Sequence, residues 1–334
     1  MYFTNNPLKI GNISIKNRVV LAPLAEITDY PFREIVRILG GELTYSEMIA
    51  CQALLRKNLK TIKMATCHNG ERPVAVQLVG SNPTDMAEAA KICEDLGATF
   101  IDINMGCPQK KIIKTGAGAA LMKEPNLAAK IVESIVKAVS IPVTCKIRLG
   151  WNNDSINALS FSKQLEVAGA SMIAIHARTR AQMFSGKADW KKIKPIKEAL
   201  NIPIIANGDI LTPQDAKRCL EESSANGVMI GRGTLGRPWL IGNINKYFKD
   251  NKLTSKITFS QRKNIIFHHL ELIKNFYQDK RAILTAKKHL SWYIRGFPKS
   301  AFYRNEINRV KNFSNFQRLV EEFFIFLERL NNSK

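Results

Sequence analysis

No C-x-x-C pair occurs among the six cysteines (Cys51, Cys67, Cys93, Cys107, Cys145 and Cys219), and their wide separation excludes both zinc-ligand spacing and a dense disulfide framework. They read as free thiols, and no metal site is indicated. Long apolar runs are missing too: charge or glycine interrupts each within about ten residues, too few to cross a bilayer. The opening Met1-Tyr2-Phe3-Thr4-Asn5-Asn6-Pro7 lacks the basic and apolar regions of a secretory signal, so the expected location is the cytoplasm. Acidic residues are scarce. Asp and Glu number 28 against 50 Lys and Arg, a net charge of +22 with a pI near 9.8. Phosphate neutralisation on a polyanion is the most economical explanation of that excess. AT-rich coding also inflates Lys and Asn, both abundant here, so charge alone does not decide the matter.

What is present is a repeating pattern. Eight short apolar runs recur, each followed by a helix-compatible stretch: Val19 to Ala22, Leu43 to Ser46, Val74 to Leu78, Phe100 to Asn104, Val143 to Ile147, Met172 to His176, Ile204 to Asn207 and Val228 to Gly231. Eight such units predict an α/β fold, a (β/α)8 TIM barrel with strands buried on both faces. Helical spacing falls over Asp85 to Leu96, Asn126 to Val139, Ser155 to Ala168 and Thr212 to Glu221, with Pro83, Pro125 and Pro213 at or near helix starts. Beyond about residue 244 the pattern becomes purely helical, over Phe259 to Tyr277, Ile283 to Ile294 and Phe313 to Leu330. The expected division is a barrel over 1–243 and a smaller C-terminal helical bundle over 244–334. The tail holds 19 Lys and Arg against 7 Asp and Glu, so about half the excess charge sits there. Phe323, Phe324 and Phe326 read as core, whereas Trp292 and Tyr293, beside Lys287, Lys288 and Arg295, are the better candidates for RNA contact.

In a parallel barrel the residues ending each strand share one rim, where active sites gather. Here the ends supply Pro23, Gln77, Asn104 with Cys107, Lys146 with Arg148, His176 with Arg178, Asn207-Gly208-Asp209 and Gly231-Arg232-Gly233. Cys107 sits in the turn Asn104-Met105-Gly106-Cys107-Pro108. A thiol with an ordinary pKa near 8.5 is mostly protonated at neutral pH, so it can donate a proton as well as attack. The last two loops predict a phosphate site for a phosphorylated cofactor. Gly231-x-Gly233-x-x-Gly236 matches the dinucleotide fingerprint, but it opens no βαβαβ half, which argues against a Rossmann domain. Gly116-x-Gly118 is weaker still, with Leu121 at the third position.

Taken in order, Ala22-Pro23-Leu24-Ala25, Thr28-Asp29-Tyr30-Pro31-Phe32-Arg33, Val76-Gln77-Leu78, Asn104 to Pro108, Lys146-Ile147-Arg148, His176-Ala177-Arg178-Thr179, Asn207-Gly208-Asp209 and Gly231-Arg232-Gly233 resemble the tRNA-dihydrouridine synthases. Lys288-His289-x-x-Trp292-Tyr293 is similar to the bacterial B-type branch. The resemblance implies FMN-dependent, NADPH-driven reduction of the uracil C5=C6 bond in the D-loop of tRNA. Hydride from reduced flavin would reach C6, and Cys107 would give the proton to C5. Pro23, Leu24, Ala25, Gln77, Lys146, His176, Asn207, Gly208, Asp209, Gly231 and Arg232 would bind the flavin. Asn104, Arg178, Lys288, Trp292, Tyr293 and Arg295 would meet the RNA. One departure stands out: the family usually has Gly after Pro-x-Ala, and this chain has Glu26, which puts flavin affinity in question. The competing readings are an FMN barrel reducing a small metabolite and a non-catalytic tRNA-binding protein.

Overall fold

The computed structural model describes residues 7–332. A short antiparallel hairpin, β1 (Leu8–Ile10) and β2 (Ile13–Ile15), precedes the eight parallel strands β3 (Val19–Leu21), β4 (Thr44–Ala50), β5 (Val74–Val79), β6 (Phe100–Asn104), β7 (Val143–Arg148), β8 (Met172–His176), β9 (Ile204–Asn207) and β10 (Gly227–Ile230). Their hydrogen-bonded order is β3-β10-β9-β8-β7-β6-β5-β4, and Leu21 N–H donates to Leu43 O at 3.2 Å to bring the two end strands together. The fold is the expected barrel. Every residue of β5, β6, β8, β9 and β10 is buried, because Val, Ile and Ala fill both faces.

Helices α1 (Tyr30–Ile38), α2 (Cys51–Leu55), α3 (Leu59–Ala65), α4 (Pro83–Asp95), α5 (Lys110–Ile113), α6 (Pro125–Ala138), α7 (Ala158–Val167), α8 (Lys194–Ala199), α9 (Pro213–Ser223) and α10 (Leu240–Asp250) lie among and after the strands. Pro83 and Pro213 open their helices where a missing N–H is free of cost, and the Asn82 and Thr212 side chains cap the following amides. Two features escaped the sequence pattern. The hairpin packs Leu8, Ile10 and Ile15 against Val20, Phe100, Met172 and Ile205, plugging one end of the barrel and leaving the strand C-termini as its open mouth. β4 runs four residues past the expected Ser46, since Glu47, polar by type, is nonetheless buried and accepts from Glu26 N–H at 2.6 Å.

After α10 come α11 (Phe259–Phe276), α12 (Asp279–Tyr293), α13 (Ser300–Arg309) and α14 (Phe313–Asn332). Thr258 and Gln261 form a capping box at the start of α11. Ile266, Leu270, Leu290, Tyr293, Phe323 and Phe324 share a core of their own, separate from the barrel's. α10 crosses residue 243 and gives Leu240, Ile241 and Ile244 to the barrel core. The helical unit leans on α1 and on the loop after β3. Phe32 stacks on His289 at 5.2 Å between ring centroids, Tyr277 OH donates to Asp29 Oδ2 at 2.9 Å, and Lys288 Nζ donates to Glu26 O.

Candidate active site

Strand register builds the site. Asn104 pairs with Lys146, Arg148 with His176 and His176 with Asn207, so these polar strand ends fall side by side at the mouth. There they line a cavity of about 240 Å³ with Pro23, Leu24, Ala25, Gln77, Cys107, Gly208, Asp209, Gly231 and Arg232. Of the six cysteines only Cys107 reaches it.

The Cys107 turn is held from three sides. Asn104 Oδ1 accepts from the N–H groups of Cys107 (2.9 Å) and Gly106 (3.3 Å), and Asn104 Nδ2 donates to Gln77 Oε1 (2.8 Å). The Cys107 carbonyl accepts from Ala119 N–H at 3.1 Å. That approach requires Gly118, at φ +62, where a Cβ would sit 2.9 Å from the same carbonyl. Burial pushes the thiol pKa up, against the downward pull of the Gln109 N–H, Arg148 and Lys146, so Cys107 is a neutral acid at pH 7.

Cations crowd the adjoining wall. Lys146 Nζ donates to Asn207 Oδ1 at 3.0 Å, and burial followed by the neighbouring Arg148 brings its pKa down to about 8, still mostly protonated at neutrality. Burial together with Lys146, Arg148, Arg178 and Arg232 pushes His176 well below its ordinary range, leaving a neutral ring. Arg178 lies 3.3 Å from His176 Nε2. A guanidinium only donates, so that nitrogen accepts and the ring proton is assigned to Nδ1. Gly208 takes φ +124, and a Cβ there would lie 2.7 Å from Ala188 Cβ.

Several expected contacts are corrected. Arg178 is 1% exposed and spends its donors on Ser185 O, Gly186 O and Asp209, so in this structure it buttresses the rim. Asp209 faces Arg178 at 2.6 Å and Arg232 at 3.1 Å; it orients these cations, since a carboxylate would repel a phosphate. Tyr293 is 2% exposed, its OH 3.0 Å from His269 Nδ1, and belongs to the helical core. Lys288 and Trp292 lie at the seam between the units, Lys288 on Glu26 O and Trp292 edge-on to His289. Arg295 is exposed. Arg148, Phe184 and Asp102 gain importance. Arg148 donates to Gly106 O, Thr179 O and Met183 O, tying the Cys107 turn to the loop carrying Phe184, which is half exposed at the cavity. Arg148 was visible as a polar strand end, whereas nothing in sequence marks Phe184.

The donor set fits an anionic cofactor. Lys146, Arg148 and Arg232 outnumber Asp209 around the cavity, and their field adds to burial in suppressing His176 ionisation. Pro23, Leu24, Ala25, Met229 and Ile230 supply an apolar wall beside these cations, as a planar ring bearing a phosphate needs.

Comparison with known proteins agrees. A family model described as dihydrouridine synthase matches residues 20–328. A probable tRNA-dihydrouridine synthase of Rickettsia bellii is 42% identical over 95% of this chain and 98% of its own length. The tRNA-dihydrouridine synthase B of Pseudomonas aeruginosa is 37% identical over 97% of both chains. Among solved structures, histamine dehydrogenase from a Rhizobium species superposes with a TM-score of 0.58 at 13% identity, covering 81% of this chain and 51% of that one. The last likeness is one of fold alone.

Proposed function

The chain belongs to the dihydrouridine synthase family, and from that premise we propose that it reduces the C5=C6 bond of a D-loop uridine in tRNA, with FMN as its flavin and NADPH as reductant. The observation that carries this reading is a neutral thiol at the cavity wall with Lys146 and Arg148 close enough to shape its titration. A flavin bound there would supply the hydride for uracil C6. Cys107 then gives its proton to C5, where negative charge conjugated with the C4 carbonyl has accumulated, and the thiolate left behind is reprotonated from water. Lys146 and Arg148 lower the cost of that passing thiolate and of any negative charge on the ring beside them. Lys146, Asn207, Gly208 and Arg232 would hold the cofactor's ring and phosphate, while Pro23, Leu24 and Ala25 cover its apolar face. Asp209 keeps Arg232 aimed.

The target base must leave its stack to reach a barrel mouth, at a cost of a few kcal/mol. The basic helical unit, seated beside that mouth through Tyr277 and Lys288, would offset it through phosphate contacts. Replacement Cys107→Ala tests the assignment. Flavin content and tRNA affinity are expected to persist while dihydrouridine formation falls by about two orders of magnitude. Turnover within about twofold of the parent would remove Cys107 from the reaction.

A further inference from the structure

Asp102 is a carboxyl group with 0% exposure in the barrel interior, and among the described residues no cation forms an ion pair with it. A buried carboxyl without such a partner is costly, so its retention calls for a role. Its two oxygens are both engaged. Oδ1 accepts from Thr144 Oγ1 at 2.6 Å, and Oδ2 accepts from Gln77 Nε2 at 2.6 Å. From there the chain of hydrogen bonds runs outward without a break. Gln77 Oε1 accepts from Asn104 Nδ2, and Asn104 Oδ1 accepts from the Cys107 N–H.

The backbone end of this chain fixes its direction. The Cys107 N–H can only donate, so Asn104 and Gln77 each have one allowed orientation, and the Asp102 oxygen they reach must accept although burial raises that carboxyl to about 7. Were either amide to flip, two donors or two acceptors would face each other in a water-poor interior. We infer that Asp102 is a positioning residue for Cys107: through Gln77 and Asn104 it locks the turn that presents the thiol to the cavity. Asp102 touches neither the cavity nor the reacting atoms. Its effect on turnover rests on the activity proposed above, but its effect on the turn does not.

The same turn sets the thiol's acidity, because the Gln109 N–H that helps stabilise the thiolate belongs to it. Loosening the turn withdraws that donor. The test compares the holoenzyme with Asp102→Ala and Asp102→Asn. Asn can still present an oxygen to Gln77 while its amide donates to Thr144, so the relay survives; Ala leaves Gln77 Nε2 unpaired. Iodoacetamide alkylation of the Cys107 peptide, followed by mass spectrometry across pH, is expected to show its midpoint raised by about half a unit or more in the Ala variant and unmoved in the Asn variant. With unmodified tRNA, kcat per bound flavin is expected to fall at least about tenfold in Ala with KM little changed, and to stay within about threefold in Asn. Should Asp102→Ala fail to fold, Gln77→Leu cuts the relay one link further out, and the same displaced alkylation midpoint is expected. An unmoved midpoint in the folded Ala or Leu variant overturns the inference. So does an Asn variant as impaired as Ala, which would make charge, not hydrogen-bond direction, the property that matters. A displaced midpoint in a protein that never reduces tRNA would uphold the positioning role while refuting the proposed activity.

Discussion

Cys107 and Glu26 show how backbone demands and side-chain chemistry separate at single residues. Glu26 stands at φ +62, a left-handed conformation that disfavours any residue with a Cβ by about 1 kcal/mol. Its N–H reaches Glu47, its carbonyl receives Lys288, and its side chain is exposed and outside the cavity. The departure from glycine therefore lies in local backbone strain. Glu26→Gly relieves that strain but enlarges the unfolded ensemble. The expected result is a change in unfolding free energy below about 1 kcal/mol and FMN affinity within about threefold, measured by denaturant titration and flavin fluorescence. A tenfold change in affinity would place the Glu26 carboxylate in the flavin's field after all. Legibility at this scale followed burial. Cys107, Lys146 and Asn207 could be found because each ends a strand-like run. Tyr293, a candidate for RNA contact by its basic neighbours, lies in the helical core instead, and Ala286, Leu290, Tyr293 and Ile294 do follow the spacing of a buried helix face.

At the scale of elements, the seam between α1 and helices α11 and α12 holds three titratable groups of opposite tendency. Asp29 is raised from 3.8 to about 6, mainly by burial and against the Tyr277 hydrogen bond. The folded state thus binds the extra proton between those values, and this contribution to stability is lost as pH rises through them. His269 runs the other way, lowered by burial from 6.5 to about 3, so its contribution is complete above 6.5 and lost as pH falls. At pH 5 that loss is on the order of 2 kcal/mol, partly offset by Asp29. His289, lowered well below 6.5 and 4.6 Å from the His269 ring, adds to the acid-sensitive side. The melting temperature should therefore drop between pH 6.5 and 5. In His289→Phe, which keeps the stacking on Phe32 and removes an ionisable ring with an unpartnered Nε2, the drop should be about 2–4 °C smaller by calorimetry. Equal drops would show that the histidine pair does not govern the seam. Sequence alone could not reveal this contact. Phe32 and His289 lie far apart in the chain, and each belongs to an apolar pattern that is complete without the other.

For the whole molecule, the barrel was legible because eight both-face-buried strands need near-continuous Val, Ile and Ala, a pattern few other folds produce. The hairpin plug was not, since Leu8, Ile10, Ile13 and Ile15 make too short an alternation to stand out. The net charge of +22 is spread with a purpose that geometry makes plainer than composition did. Lys110, Lys111 and Lys114 are exposed just beyond Cys107, and the basic helical unit sits beside the same mouth. Cavity, acid and these three lysines therefore lie together at one end of the barrel, beside a basic unit, an arrangement suited to a polyanionic substrate. The most direct test of this account is anaerobic visible spectroscopy of the FMN-loaded protein, treated first with NADPH and then with unmodified tRNA. Flavin absorbance should bleach with NADPH, recover with tRNA and remain bleached with free uridine. A reduced flavin indifferent to tRNA, or a protein that takes up no FMN, would contradict it.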